Sequence, residues 1–154
     1  MWGEILKRDL LGESREEDKF HTKEQLQEYL KSEIKKQGEN VVIRNLDVSL
    51  IEDLSDLFYN IANGVKTLVL SGWKTSNVKD MSRMFCDCIS LKSLNLSGWN
   101  TSNVKAMSCV FSCCYDLESL DLSGWDTSNV ESMYEMFFRC PAPYKVVKNQ
   151  IVKK

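Results

Sequence analysis

The tripeptide Ser-Gly-Trp stands at residues 71–73, 97–99 and 123–125, and each copy continues, after one variable residue, into Thr-Ser-Asn-Val. A unit of 26 residues is too short to enclose a core alone, so each copy must bury its apolar side against the next. This predicts an α/β solenoid in which recurring positions face inward and varying positions face outward.

The columns extend beyond the tripeptide. Val78, Val104 and Val130 align, as do Met81, Met107 and Met133, then Met84, Val110 and Met136, then Phe85, Phe111 and Phe137. Within one copy these positions fall at i, i+3, i+6 and i+7. That is the spacing of one helix face, and Ser76 or Asn77 stands where an N-cap belongs, so a short inward-facing helix is expected in each copy. Leu91, Leu94 and Leu96, matched by Leu117, Leu120 and Leu122, predict a strand that pairs in parallel from copy to copy. Gly98 and Gly124 permit the sharp exit that follows. A worn copy precedes these, with residues 48–51 matching 75–78, residues 53–58 matching 80–85, and an ending in Val65, Leu68 and Leu70.

The flanks read as caps. Thr22, with Gln25 three residues later, fits a capping box; Leu26, Tyr29, Leu30 and Ile34 form an apolar stripe and Gly38 a stop. A helix here is expected to cover the open first coil, with residues 41–46 entering the sheet as a strand. Trp2, Ile5, Leu6 and Leu10 lie at helical spacing in a charged segment that is either a short helix or a tail. At the far end Pro141 and Pro143 bend the chain, and Val146, Val147, Ile151 and Val152 predict one or two closing edge strands. The division is therefore a tail or helix over 1–20, an N-terminal cap over 21–45, repeats over 46–140 and a C-terminal cap over 141–154.

Composition narrows the function. With 154 residues, 43% apolar and 27% charged, the chain has the profile of one soluble domain. The net charge is −2, and acids and bases balance from residue 41 onward, which disfavours nucleic acid as a partner. Only the terminal Arg139, Lys145, Lys148, Lys153 and Lys154 are lopsided. No run approaches the roughly 18 apolar residues of a membrane span. Glu4, Lys7, Arg8 and Asp9 interrupt the stretch where a signal peptide would need an uncharged run. The sequence as written therefore reads as cytoplasmic, a mature fragment whose export signal has been removed being the alternative.

Blocks such as Leu-x-Leu-Ser-Gly-Trp-x-Thr-Ser-Asn-Val-x-x-Met-x-x-Met-Phe-x-x-Cys resemble the BspA-like leucine-rich repeats of bacterial surface proteins over roughly residues 46–140. The resemblance implies a right-handed stack of helix-and-strand coils and a protein-binding or adhesive role at the cell surface. It implies neither enzyme nor cofactor.

The residues themselves give little ground for catalysis or metal binding. His21, the only histidine, precedes the first helix, outside the repeats, where a nucleophilic dyad would have to recruit it. Cys88, Cys114 and Cys140 recur at the period and read as a buried thiol column, a disulfide between neighbours being the alternative. Cys86, Cys109 and Cys113 match no zinc-knuckle spacing. Glu52, Asp53, Asp56 and Asp80 read as a solvated helix face rather than an acid pair. Trp73, Trp99 and Trp125 are expected to pack coil upon coil rather than form an outward platform. Function is expected where copies differ, on the exposed side of the strands. The candidate residues are Thr67, Val69, Ser93, Asn95, Ser119 and Asp121, facing an unidentified protein, with weak self-association as the other outcome.

Overall fold

A computed structural model describes residues 19–147 and 150–154. The expected element around Trp2, Ile5, Leu6 and Leu10 lies outside them. The described residues form a small α/β structure with one helix, α1 (Lys23–Gln37), and a four-stranded parallel sheet in chain order: β1 (Asn40–Val42), β2 (Thr67–Val69), β3 (Ser93–Asn95) and β4 (Ser119–Leu120). A separate antiparallel hairpin, β5 (Tyr144–Val147) and β6 (Gln150–Lys153), follows, so the closing strands expected from the valines form a pair of their own.

The caps of α1 follow from its sequence. The Thr22 hydroxyl accepts the Gln25 N–H at 3.2 Å. Gly38 takes φ 71° while its N–H reaches the Ile34 carbonyl, a left-handed stop that suits glycine. The Gln25 side chain returns to the N–H of His21 rather than Thr22, which varies the expected capping box by one residue. Leu26, Tyr29 and Leu30 are buried, and Phe20 packs on Tyr29 with ring centroids 5.3 Å apart.

Sheet register follows the repeat. Leu68, Leu94 and Leu120 pair in one row and are all buried. Between the strands, isolated bridges join Asp53 to Asp80, Asp80 to Ala106 and Ala106 to Ser132. The alignment that includes the worn copy is thus the pairing the backbone adopts.

The helix expected in each copy does not form. Residues 80–88 and their equivalents are turns. Alternate N–H groups close those turns, Met84 to Met81, Cys86 to Arg83 and Cys88 to Phe85, while the others donate to the next copy. Met81, Arg83, Phe85 and Asp87 bond the carbonyls of Ala106, Ser108, Val110 and Ser112 at 2.9–3.0 Å. At the spacing this structure adopts, a helix in each copy does not fit. Neighbouring strands lie about 4.8 Å apart, whereas a helix with its side chains is about 10 Å wide. On the turn side the Phe58, Phe85, Phe111 and Phe137 rings stack at 5.1, 5.8 and 5.5 Å, so both sides of each copy advance by nearly the same small step. The tight turns require left-handed backbone at Asp56, Arg83, Cys109 and Glu135 and again at Asn60, Asp87, Cys113 and Arg139.

The Thr-Ser-Asn motif builds ladders instead of helix caps. Asn77, Asn103 and Asn129 donate their side-chain amides to the carbonyls of Ser49, Ser76 and Ser102. The Thr75 hydroxyl both accepts the Asn100 N–H and donates to the Asn100 carbonyl, and Thr101 does the same to Asp126.

Candidate functional site

Five of the six residues singled out by variability lie on the strands in two rows, and Asp121 stands just past the end of β4. Thr67, Ser93 and Ser119 are paired in register, and Val69 pairs with Asn95. Ser119, Asn95 and Asp121 are exposed, and Thr67, Val69 and Ser93 half-buried. Asn95 and Asp121 also have local work, since each accepts the N–H two residues on, from Ser97 and Ser123. The Ser123 N–H and hydroxyl hold the Asp121 carboxyl below its ordinary range.

The indoles partly follow the expected packing. Trp73 and Trp99 are buried, stack at 5.5 Å, and donate their Nε1–H groups to the carbonyls of Ile43 and Leu70 at 2.7 Å. Trp125 departs from the column. Its ring meets Phe111 at 6.0 Å, it is only partly buried, and its enclosed Nε1–H has no acceptor among the described residues. The last copy has swung away at this corner. Leu70 and Gly72 donate to Asn95 and Ser97, but among the described residues Leu96 and Gly98 make no equivalent bonds to Asp121 and Ser123. A cavity of about 140 Å³ opens there between Trp99, Gly124 and Trp125. Gly72 and Gly98 take φ 74° and 81°, and Gly124 does not share that conformation.

The thiols are placed for packing. Cys88, Cys114 and Cys140 are buried, and the Cys114 Sγ–H donates to the Phe85 carbonyl at 3.0 Å. All six cysteines are free thiols. Burial pushes Cys86 up to about 11 and Cys88 up to about 12, and raises Cys114 further. Such thiols are poor nucleophiles at neutral pH. No group of three metal-ligating side chains converges among the described residues.

Three of the four acids expected on a solvated helix face are paired with cations of other segments. Glu52 meets Lys79, Asp53 meets Lys23, and Asp56 meets Arg83, each at 2.8 Å, while Asp80 accepts the Ser82 N–H. They lie on turns and loops, not on the helix face expected for them. His21 is exposed.

The variable columns hide a second surface that the strand argument missed. Ile89, Tyr115, Tyr134 and Phe138 are exposed by 45–69%, and all lie on or beside the turns. The Arg139 guanidinium sits over the Phe138 ring, 5.1 Å from its centroid, and beside the Tyr115 hydroxyl. The signal was available in the alignment. Tyr134 stands where other copies carry Ser55, Ser82 and Ser108, and Phe138 where they carry Tyr59, Cys86 and Ser112.

Among the described residues no helix is long and apolar enough to cross a membrane. A family model described as Mycoplasma protein of unknown function, DUF285, matches residues 25–149. No curated protein and no solved structure matches the chain.

Proposed function

The chain belongs to the DUF285 family, and from that premise we propose that it is a non-catalytic protein-interaction module built on a short right-handed solenoid of BspA-like leucine-rich repeats. The solenoid reading is supported by parallel pairing in strict chain order, by bridges joining four consecutive copies, and by the row of stacked phenylalanines. The non-catalytic reading is supported by the raised thiols and by carboxylates engaged in ion pairs.

One observation carries the binding reading: Thr67, Ser93 and Ser119, with Val69 and Asn95, form in-register rows on the open side of the sheet, made of small and mostly uncharged side chains. A flat surface of this kind admits a close partner, as the outer surfaces of repeat proteins commonly do. Because Asn95 and Asp121 also close turns, the informative variants are Ser93→Lys and Ser119→Lys. In cross-linked affinity capture, the double variant is expected to lose a protein that the wild type and a Thr22→Ser control both retain. Retention by the double variant sinks the sheet-face reading.

The second reading is a structural or adhesin-type unit that self-associates. Aromatic and arginine side chains are enriched at interfaces, and here they gather on the turns, at Tyr115, Tyr134, Phe138 and Arg139. Sedimentation equilibrium of Tyr134→Ser with Phe138→Ser decides it. A concentration-dependent dimer lost in that variant supports self-association, and a wild-type monomer at all concentrations excludes it.

A further inference from the structure

Among the described residues, the ladder between copies ends at residues 127 and 128. Thr75 and Thr101 each grip the backbone N–H and carbonyl of one residue in the following copy, and the carbonyls of Ser49, Ser76 and Ser102 each receive an asparagine amide from it. Thr127 and Ser128 occupy the next places in both ladders. Among the described residues the Thr127 hydroxyl and the Ser128 carbonyl have no such partner. They line a groove of about 650 Å³ together with Trp125 and Asp126 and, from the C-terminal strands, Tyr144, Gln150, Ile151 and Lys153.

From this we propose that the groove is a peptide-binding site for an extended segment of another protein that lies down as one more rung of the ladder. The occupant is specified by the rungs already filled. It must offer a free backbone N–H and carbonyl at one residue, for the Thr127 hydroxyl, and an asparagine three residues later, for the Ser128 carbonyl. That is the relation between Asn100 and Asn103 in the filled rung above Thr75 and Ser76. The interface is continuous with the copy-to-copy contact that forms the fold, so the hydrogen-bond pattern is set by the chain itself. A side-chain clamp on main-chain groups gives affinity with little sequence demand, and the asparagine supplies selectivity. Tyr144 fixes the position of the groove, since its hydroxyl accepts the Leu122 N–H at 3.3 Å and its ring stacks on Phe137 at 6.2 Å. The site is separate from the sheet rows and stands or falls without them.

The test uses the full chain and a synthetic peptide, Leu-Ser-Gly-Trp-Asn-Thr-Ser-Asn-Val, which repeats residues 96–104. Titration is followed by calorimetry and by the amide signals of residues 125–128. The peptide is expected to bind and to shift those signals. Replacing its second asparagine by alanine, and separately Thr127→Val in the protein, are each expected to weaken binding about fivefold or more, the scale of one lost hydrogen bond. Thr127→Ser is expected to keep the affinity. Should Thr127→Val fail to fold, the peptide substitution alone decides. Equal binding of a scrambled peptide, no binding at millimolar peptide, or shifts confined to residues 67–95 overturns the proposal. Self-association of the chain that is abolished by Thr127→Val also overturns it, because the groove would then hold a second copy.

Discussion

Single residues show how the same motif is stabilised differently along the stack. Asp47 is almost fully buried. Burial alone would raise its carboxyl, but the Lys74 ammonium and the Ser49 hydroxyl and N–H outweigh this and hold it down at about 2. A depressed carboxyl contributes stability that is present above the unfolded value near 3.8 and is lost as pH falls through about 2. The shift corresponds to about 2 kcal/mol. Asp47→Asn is therefore expected to cost about 1–2 kcal/mol at pH 7, with the deficit against wild type shrinking between pH 4 and pH 2 in urea titrations. A deficit independent of pH would contradict this. The tryptophans give a second comparison. Trp99 is buried and hydrogen-bonded, whereas Trp125 is partly exposed and its Nε1–H has no acceptor among the described residues. Trp99→Ala is expected to cost about 3–5 kcal/mol and Trp125→Ala about 1–2 kcal/mol, measured by equilibrium unfolding. Equal costs would place both indoles in one environment.

At the scale of elements, the strands and the turns were not equally legible. The strand rows could be read because Leu68, Leu94 and Leu120 recur at a fixed period whatever conformation links them. The spacing of Val78, Met81, Met84 and Phe85 is helical, yet tight turns repeated every few residues bring the same positions inward. The feature that distinguishes the two is positive φ at Arg83, Cys109 and Glu135, residue types that do not advertise it. The candidate surfaces divided in the same way. The sheet rows follow from alternation, while the aromatic turn side needed the turn geometry to be known. Trp125 was beyond reach, because its tripeptide matches its siblings and its setting depends on what lies beside it in space. A glycine at an exposed left-handed position relieves strain, whereas in a helix it costs about 1 kcal/mol. Glu135→Gly is accordingly expected to be neutral or stabilising by up to about 1 kcal/mol in thermal unfolding. A loss of about 1 kcal/mol would restore the helical reading.

Over the whole molecule, the recurring side chains form internal rows and the varying ones form the sheet rows, the aromatic turns and the end groove. The proposed functions all depend on that separation. It is tested most directly by nuclear Overhauser contacts between aromatic rings in selectively labelled protein. The predicted result is a direct contact between the indoles of Trp73 and Trp99, and an unbroken series from Phe58 through Phe85 and Phe111 to Phe137. Rings that touch only neighbours within their own copy, with no contact across the 26-residue period, would contradict it.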